Sequence, residues 1–214
     1  MKKIFVLFVV VFWLFFSFGL ADGFLYPTTN TATNGQIIFS AGNLHLGIGA
    51  GIGKNFEFGY ALSYSNLGTY LKFKPFKNIA LGISYLPFKL CLFGFCEQIS
   101  TLTTYGVYKI GNEDFNTNIG LRFSMINDLS KTNVDAFAIV QKKINGAFLI
   151  FEGGIEKNLS IQSPKFNLAT GVSEKFGMLS FKAGLIWMDF KANEKSFMQP
   201  LPYLEMNLIL NLWR

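Results

Sequence analysis

The stretch "NFEFGYALSYSN", residues 55–66, alternates apolar with small or polar side chains almost without a break. Phe56, Phe58, Tyr60, Leu62 and Tyr64 fall on one parity, and Glu57, Gly59, Ala61, Ser63 and Ser65 on the other. Successive side chains of an extended strand point to opposite faces, so the two sets line opposite surfaces of a sheet. The apolar surface covers either a protein core or lipid, and the rest of the chain has to decide between them.

The pattern recurs on both sides of that stretch. Leu44, Leu46, Ile48, Ala50 and Ile52 alternate with His45, Gly47, Gly49 and Gly51. Ile119, Leu121, Phe123 and Met125 alternate with Asn118, Gly120, Arg122 and Ser124, and Leu179, Phe181, Ala183 and Leu185 with Ser180, Lys182 and Gly184. Many segments run about ten to thirteen residues, nearer to a tilted transmembrane strand than to the five or six usual in a soluble sheet. Aromatics gather at segment ends, as at Tyr85, Tyr108, Trp187 and Tyr203, in the manner of interfacial girdles.

Gly, Pro, Asn and Asp punctuation divides residues 36–213 into twelve strands. Ten is the alternative, if "GQIIFSAGN" and its neighbour form a hairpin outside the barrel. Short turns at 53–54, 75–77, 110–114, 145–146 and 177 alternate with longer pieces at 88–96, 127–132, 158–163 and 190–201. After Leu20 no charge-free apolar run reaches the length of a spanning helix, so a membrane-crossing form has to be a closed barrel. The expected fold is therefore all-β: a single antiparallel up-and-down transmembrane barrel. Its short turns and both termini are periplasmic.

The chain opens "MKKIFVLFVVVFWLFFSFGLADG": two lysines, an uncharged run to Leu20, and small residues before Asp22. This reads as a signal peptide, residues 1–21, cleaved after Ala21; the competing reading is a retained anchor helix. Residues 22–35 are then expected to be a periplasmic N-terminal segment. The net charge of +6 is spread along the strands, with no basic arm, which argues against nucleic acid as a partner. Cys91 and Cys96, in "LCLFGFC", are expected to pair as a disulfide that ties off a loop. Two cysteines and a single histidine make a metal site unexpected, and no cofactor motif is present.

Glu57, Lys72, Lys74, Arg122, Asp135, Glu152, Lys165, Lys175, Lys182 and Glu205 share the expected inner face. They line either a pore whose slight cationic excess favours anionic solutes, or a lumen closed by ion pairs. His45 sits on the Gly-rich inner face, and no serine lies at close strand spacing in sequence, so catalysis is not expected. "GIGAGIG", residues 47–53, lacks the following helix of a phosphate loop and is expected to give room inside a curved wall.

Leader, amphipathic strands, alternating loop lengths and an apolar last strand ending in an aromatic make the mature chain resemble a bacterial outer-membrane β-barrel. The resemblance implies location in the outer membrane of a bacterium, contact with its lipid, and insertion by the barrel-assembly machinery. The assembly signal would lie in Leu204, Met206, Leu208, Leu210, Leu212 and Trp213, although Arg214 follows Trp213 and departs from the usual pattern. A fainter similarity, in "GFLYPTTNTATNGQIIFSAGN", is to barrels linked to exopolysaccharide secretion. The function expected on this basis is a porin-like channel for small solutes. The alternatives are a closed structural or adhesion barrel and an accessory barrel in polysaccharide export.

Overall fold

The computed structural model describes residues 25–63, 67–92, 95–159, 164–190 and 200–212. Twelve strands follow one another: β1 (Gln36–Gly42), β2 (His45–Ile52), β3 (Phe56–Ser63), β4 (Leu67–Phe76), β5 (Ile79–Leu92), β6 (Phe95–Gly111), β7 (Phe115–Ile126), β8 (Asp128–Ile144), β9 (Ala147–Asn158), β10 (Lys165–Phe176), β11 (Leu179–Phe190) and β12 (Leu201–Asn211). Each pairs antiparallel with its sequence neighbours, and β1 pairs with β12, which closes the barrel. The ten-strand alternative is thereby overturned, because β1 and β2 are staves of the wall. Side chains also join the seam: Gln36 Nε2 donates to Asn211 Oδ1 at 3.0 Å, and the Leu204 N–H to Asn43 Oδ1 at 3.0 Å.

Residues 56–63 of the alternating stretch form β3, with Phe56, Phe58, Tyr60 and Leu62 pointing out and Glu57, Ala61 and Ser63 buried inside. Phe58 is 46% exposed while its neighbour Glu57 is 2% exposed. The same division holds round the wall: more than thirty large apolar side chains among the described residues are exposed. Charges of outward parity with described side chains, at Lys142, Lys157 and Glu174, lie within two residues of a strand end. An apolar belt thus surrounds an interior that holds the buried charged and polar side chains together with an apolar cluster.

Two of the longer pieces expected from sequence are strand instead. Residues 88–92 and 95–96 extend the β5–β6 hairpin, and β8 begins at Asp128, after Asn127 takes a left-handed backbone (φ 61°) beside a register shift. Alternation such as Phe88, Leu90 and Leu92 against Lys89 and Cys91 suits continued pairing, so the ladder runs past the expected boundary. At the opposite end the connections are tight. The β8–β9 turn, Asn145-Gly146, has φ of 50° and 97°, positive values that suit Asn and Gly and match the twist of a two-residue hairpin.

The apolar core of the molecule lies inside the barrel. Leu25 and Tyr26 cluster there with Tyr105, Val107, Phe137, Ile139, Ile150, Ala169, Ile186 and Tyr203. Within the piece expected to be a periplasmic N-terminal segment, residues 22–35, residues 25–29 are buried in the barrel's interior, and the chain then runs to the rim at Gly35 to enter β1. The physical reason is mutual satisfaction, since the segment's backbone donors and the inward acceptors of the wall would each be left unmatched without the other.

Candidate functional site: an internal segment and a lysine-lined vestibule

Three opposite-charge pairs stand directly opposite each other in the ladders: Glu57 and Lys72, Arg122 and Asp135, Lys182 and Glu205. Period-2 geometry sends both members of each pair inward. Arg122 Nε lies 2.7 Å from Asp135 Oδ2, with both side chains almost fully buried, and Lys182 Nζ lies 3.7 Å from Glu205 Oε1. Tyr203 and Asn207 also donate to Glu205.

Glu152 differs, because its register neighbours are the uncharged Ile139 and Ala169. Its carboxylate accepts instead from the backbone of the internal segment: the Leu25 N–H at 2.8 Å and the Tyr26 N–H at 3.3 Å, both to Oε2. Charge-assisted bonds of this kind are about twice as strong as neutral ones. Further along, the Thr29 N–H donates to Asn118 Oδ1 at 3.2 Å and the Ala32 N–H to Glu57 Oε2 at 2.6 Å. Lys72 Nζ donates to the Asn30 carbonyl, and Tyr70 donates to Glu57 Oε1 at 3.0 Å. Four strands of the wall therefore supply side-chain partners where a ladder would supply backbone ones.

Tyr26 anchors the segment. Its ring stacks on Phe137 with centroids 4.6 Å apart and planes 6° from parallel, and Arg122 Cζ lies 5.1 Å from the Tyr26 centroid. Asn167 Nδ2 donates to the Tyr26 hydroxyl at 3.2 Å. Burial raises the Tyr26 hydroxyl above the ordinary phenol range, so it stays a neutral acceptor for that amide. Gly154 makes the seat possible, since a Cβ there would collide with the Tyr26 ring. Gly51 does the same for the backbone of Ala32 and Thr33, which gives part of "GIGAGIG" its reason: the inner face of β2 leaves room for the returning chain.

Lys74 and Lys175 stand nearer the short-turn end, where a cavity of about 970 Å³ opens between the turns. Asn30 of the internal segment contributes to its inner wall. Lys165 is half-buried toward the other end, opposite Glu156 in the β9–β10 ladder. The ten residues singled out from sequence thus fall into three cross-strand pairs, of which Glu57 and Lys72 also hold the segment and Lys182 also lines the cavity, one carboxylate, Glu152, that faces the segment alone, two further lysines of the vestibule and one lysine near the longer loops.

On β12, Leu204 and Met206 are exposed on the outer face and Leu208 and Leu210 are half-buried, while Leu212, one residue past the strand, is exposed. Trp213 lies outside the described residues. Cys91 and Cys96 face each other in the β5–β6 backbone register, and their side chains lie outside the described set. Contrary to the expectation from sequence, Ser63 stands close to His45, directly opposite it across β2–β3, and both are buried. Sequence distance hid this pair because the β2–β3 turn folds residues 18 positions apart onto one another. The internal segment was missed altogether. Its one sequence signal is the uncharged, non-alternating run from Leu25 to Gly35.

Fold and interior together define a closed twelve-strand antiparallel barrel with an internal N-terminal segment. Comparison with protein-family models, curated proteins and solved structures finds no match.

Proposed function

We propose that this chain is a bacterial outer-membrane β-barrel whose conduit is occluded by its own residues 25–34, and that it passes small solutes when that segment is displaced. The observation that carries this reading is the inversion of the wall: an exposed apolar belt outside, paired charges and a hydrogen-bonded segment inside. In water the belt would exceed by far the apolar patches that soluble proteins leave exposed, whereas lipid solvates it at no cost. A closed ladder also leaves no strand edge for lipid to meet. The reading assigns no catalysis and no cofactor, and its partners are lipid, the assembly machinery during insertion, and small solutes.

Removal of the leader belongs to the same proposal. Leu25, four residues past Ala21, is enclosed with its N–H bound to Glu152, which suits a mature chain starting at Asp22. An intact mass beginning at Asp22 is the expected result for protein purified from membranes, and a mass retaining residues 1–21 would remove this part of the reading.

Planar-bilayer conductance tests the rest. The full mature chain should give little steady current, and a variant lacking residues 25–33 should conduct. Steady current through the full chain would remove the occlusion. No current through either form would leave the second reading, a closed structural barrel, which the three buried cross-strand charge pairs independently favour.

A further inference from the structure

The cavity at the short-turn end is lined by six lysines against two carboxylates, Glu113 and Asp114. Two of these lysines are already matched. Lys143 faces Asp114 at 3.7 Å at the exposed rim, and Lys182 is held by Glu205 in the inner wall. Lys77, Lys109 and Lys175 have no carboxylate within ion-pair distance among the described residues. They come from different sides: Lys77 from the β4–β5 turn, Lys109 from β6 and Lys175 from β10.

A concave, low-dielectric wall carrying charge of one sign focuses its field into the space it encloses. Here that space is about 970 Å³, at the upper end of the roughly 300–1,000 Å³ of small-molecule sites. Between the lysines the wall offers neutral hydrogen-bonding groups, among them Gln141, Ser173 and Asn207. Charges on separate walls with amides and hydroxyls between them match a solute that carries more than one anionic group on a polar frame.

We propose that this vestibule is a binding site for a small soluble polyanion bearing two or more phosphate or carboxylate groups, held between Lys77 and Lys109 on one wall and Lys175 on the other. The site needs only the folded barrel, so it stands or falls separately from conduction and from membrane location.

Isothermal titration of the refolded full barrel in zwitterionic micelles with inorganic tripolyphosphate is the test. Saturable binding at one site per barrel is expected, weakening steeply with added salt. A triple variant, Lys77→Gln, Lys109→Gln and Lys175→Gln, should bind about tenfold more weakly or worse, while Lys54→Gln, at a turn on the same end but outside the cavity, should bind as wild type. Heat-shifted gel mobility checks that each variant is folded. Should the triple variant fail to fold, Lys109→Gln alone should weaken binding by about threefold. No saturable heat, or a triple variant that binds as wild type, overturns the site. Repeating the titration in vesicles containing phosphatidylglycerol separates two sources of the same chemistry. Retained binding supports a soluble anion, and abolished binding hands the site to lipid headgroups and overturns the soluble assignment.

Discussion

Around Tyr26 the interior of the barrel is filled, stacked and hydrogen-bonded, whereas a few residues away, between Lys77, Lys109 and Lys175, it is open and carries unmatched positive charge. Both regions are built on the same period-2 wall. In the filled region the inward charges of the described residues either meet an opposite charge across a ladder or take backbone N–H groups, as Arg122 meets Asp135 and Glu152 takes Leu25 and Tyr26. In the open region Lys77, Lys109 and Lys175 meet no carboxylate among the described residues and face an open cavity. Dry charge has to be matched and wet charge does not, so charge balance distinguishes a structural part of a lumen from a solvated one.

The sharpest way to break that contrast is to unmatch a charge in the filled region. Arg122→Leu strands Asp135 and removes the cation over Tyr26, and should lower stability by about 3–5 kcal/mol in urea unfolding of the micelle-refolded barrel. Replacing both Arg122 and Asp135 by leucine should recover much of the loss. A cost under about 1 kcal/mol for the single change, typical of exposed pairs, would mean that the region is wet.

Tyr26→Ala ranks next, at about 3 kcal/mol, because it empties the stack on Phe137 and leaves the hollow at Gly154 unfilled. The same variant should raise bilayer conductance, and unchanged current with lowered stability would separate anchoring from occlusion. Glu152→Gln keeps an acceptor oxygen but loses its charge, so a smaller cost of about 1–2 kcal/mol is expected. Lys175→Gln in the vestibule should change stability by less than about 0.5 kcal/mol, since it leaves no buried partner behind. A large loss there would erase the contrast from the other side.

How far the sequence reveals this architecture follows from what each part uses to satisfy its backbone. Strands satisfy it with one another, which imposes alternation, and alternation shows in residues such as Phe56, Phe58 and Tyr60. Parity likewise exposes the inward acids and bases one at a time. Their pairing depends on register, which is set by turns and by closure across β1–β12, so Arg122–Asp135 and His45–Ser63 are visible only in the fold. The internal segment satisfies its donors with Glu152, Asn118 and Glu57, which are side chains far off in sequence. It leaves no period to read, and Glu152 looks like any other inward carboxylate until its uncharged register neighbours are known.

The seam bears on the order of folding. Gln36 and Asn211 meet across it from 175 positions apart, so this ladder carries the largest loop-closure cost in the wall and belongs among the last to form. Residues 25–34 run straight into β1, the strand that completes the seam, with Gly35 as the joint. While the seam is open the segment can swing in sideways with its strand; once the seam is shut, the same segment would have to thread through an end of the tube. Sealing the cylinder and stoppering it are thus coupled, because the closing strand and the segment are one continuous piece of chain.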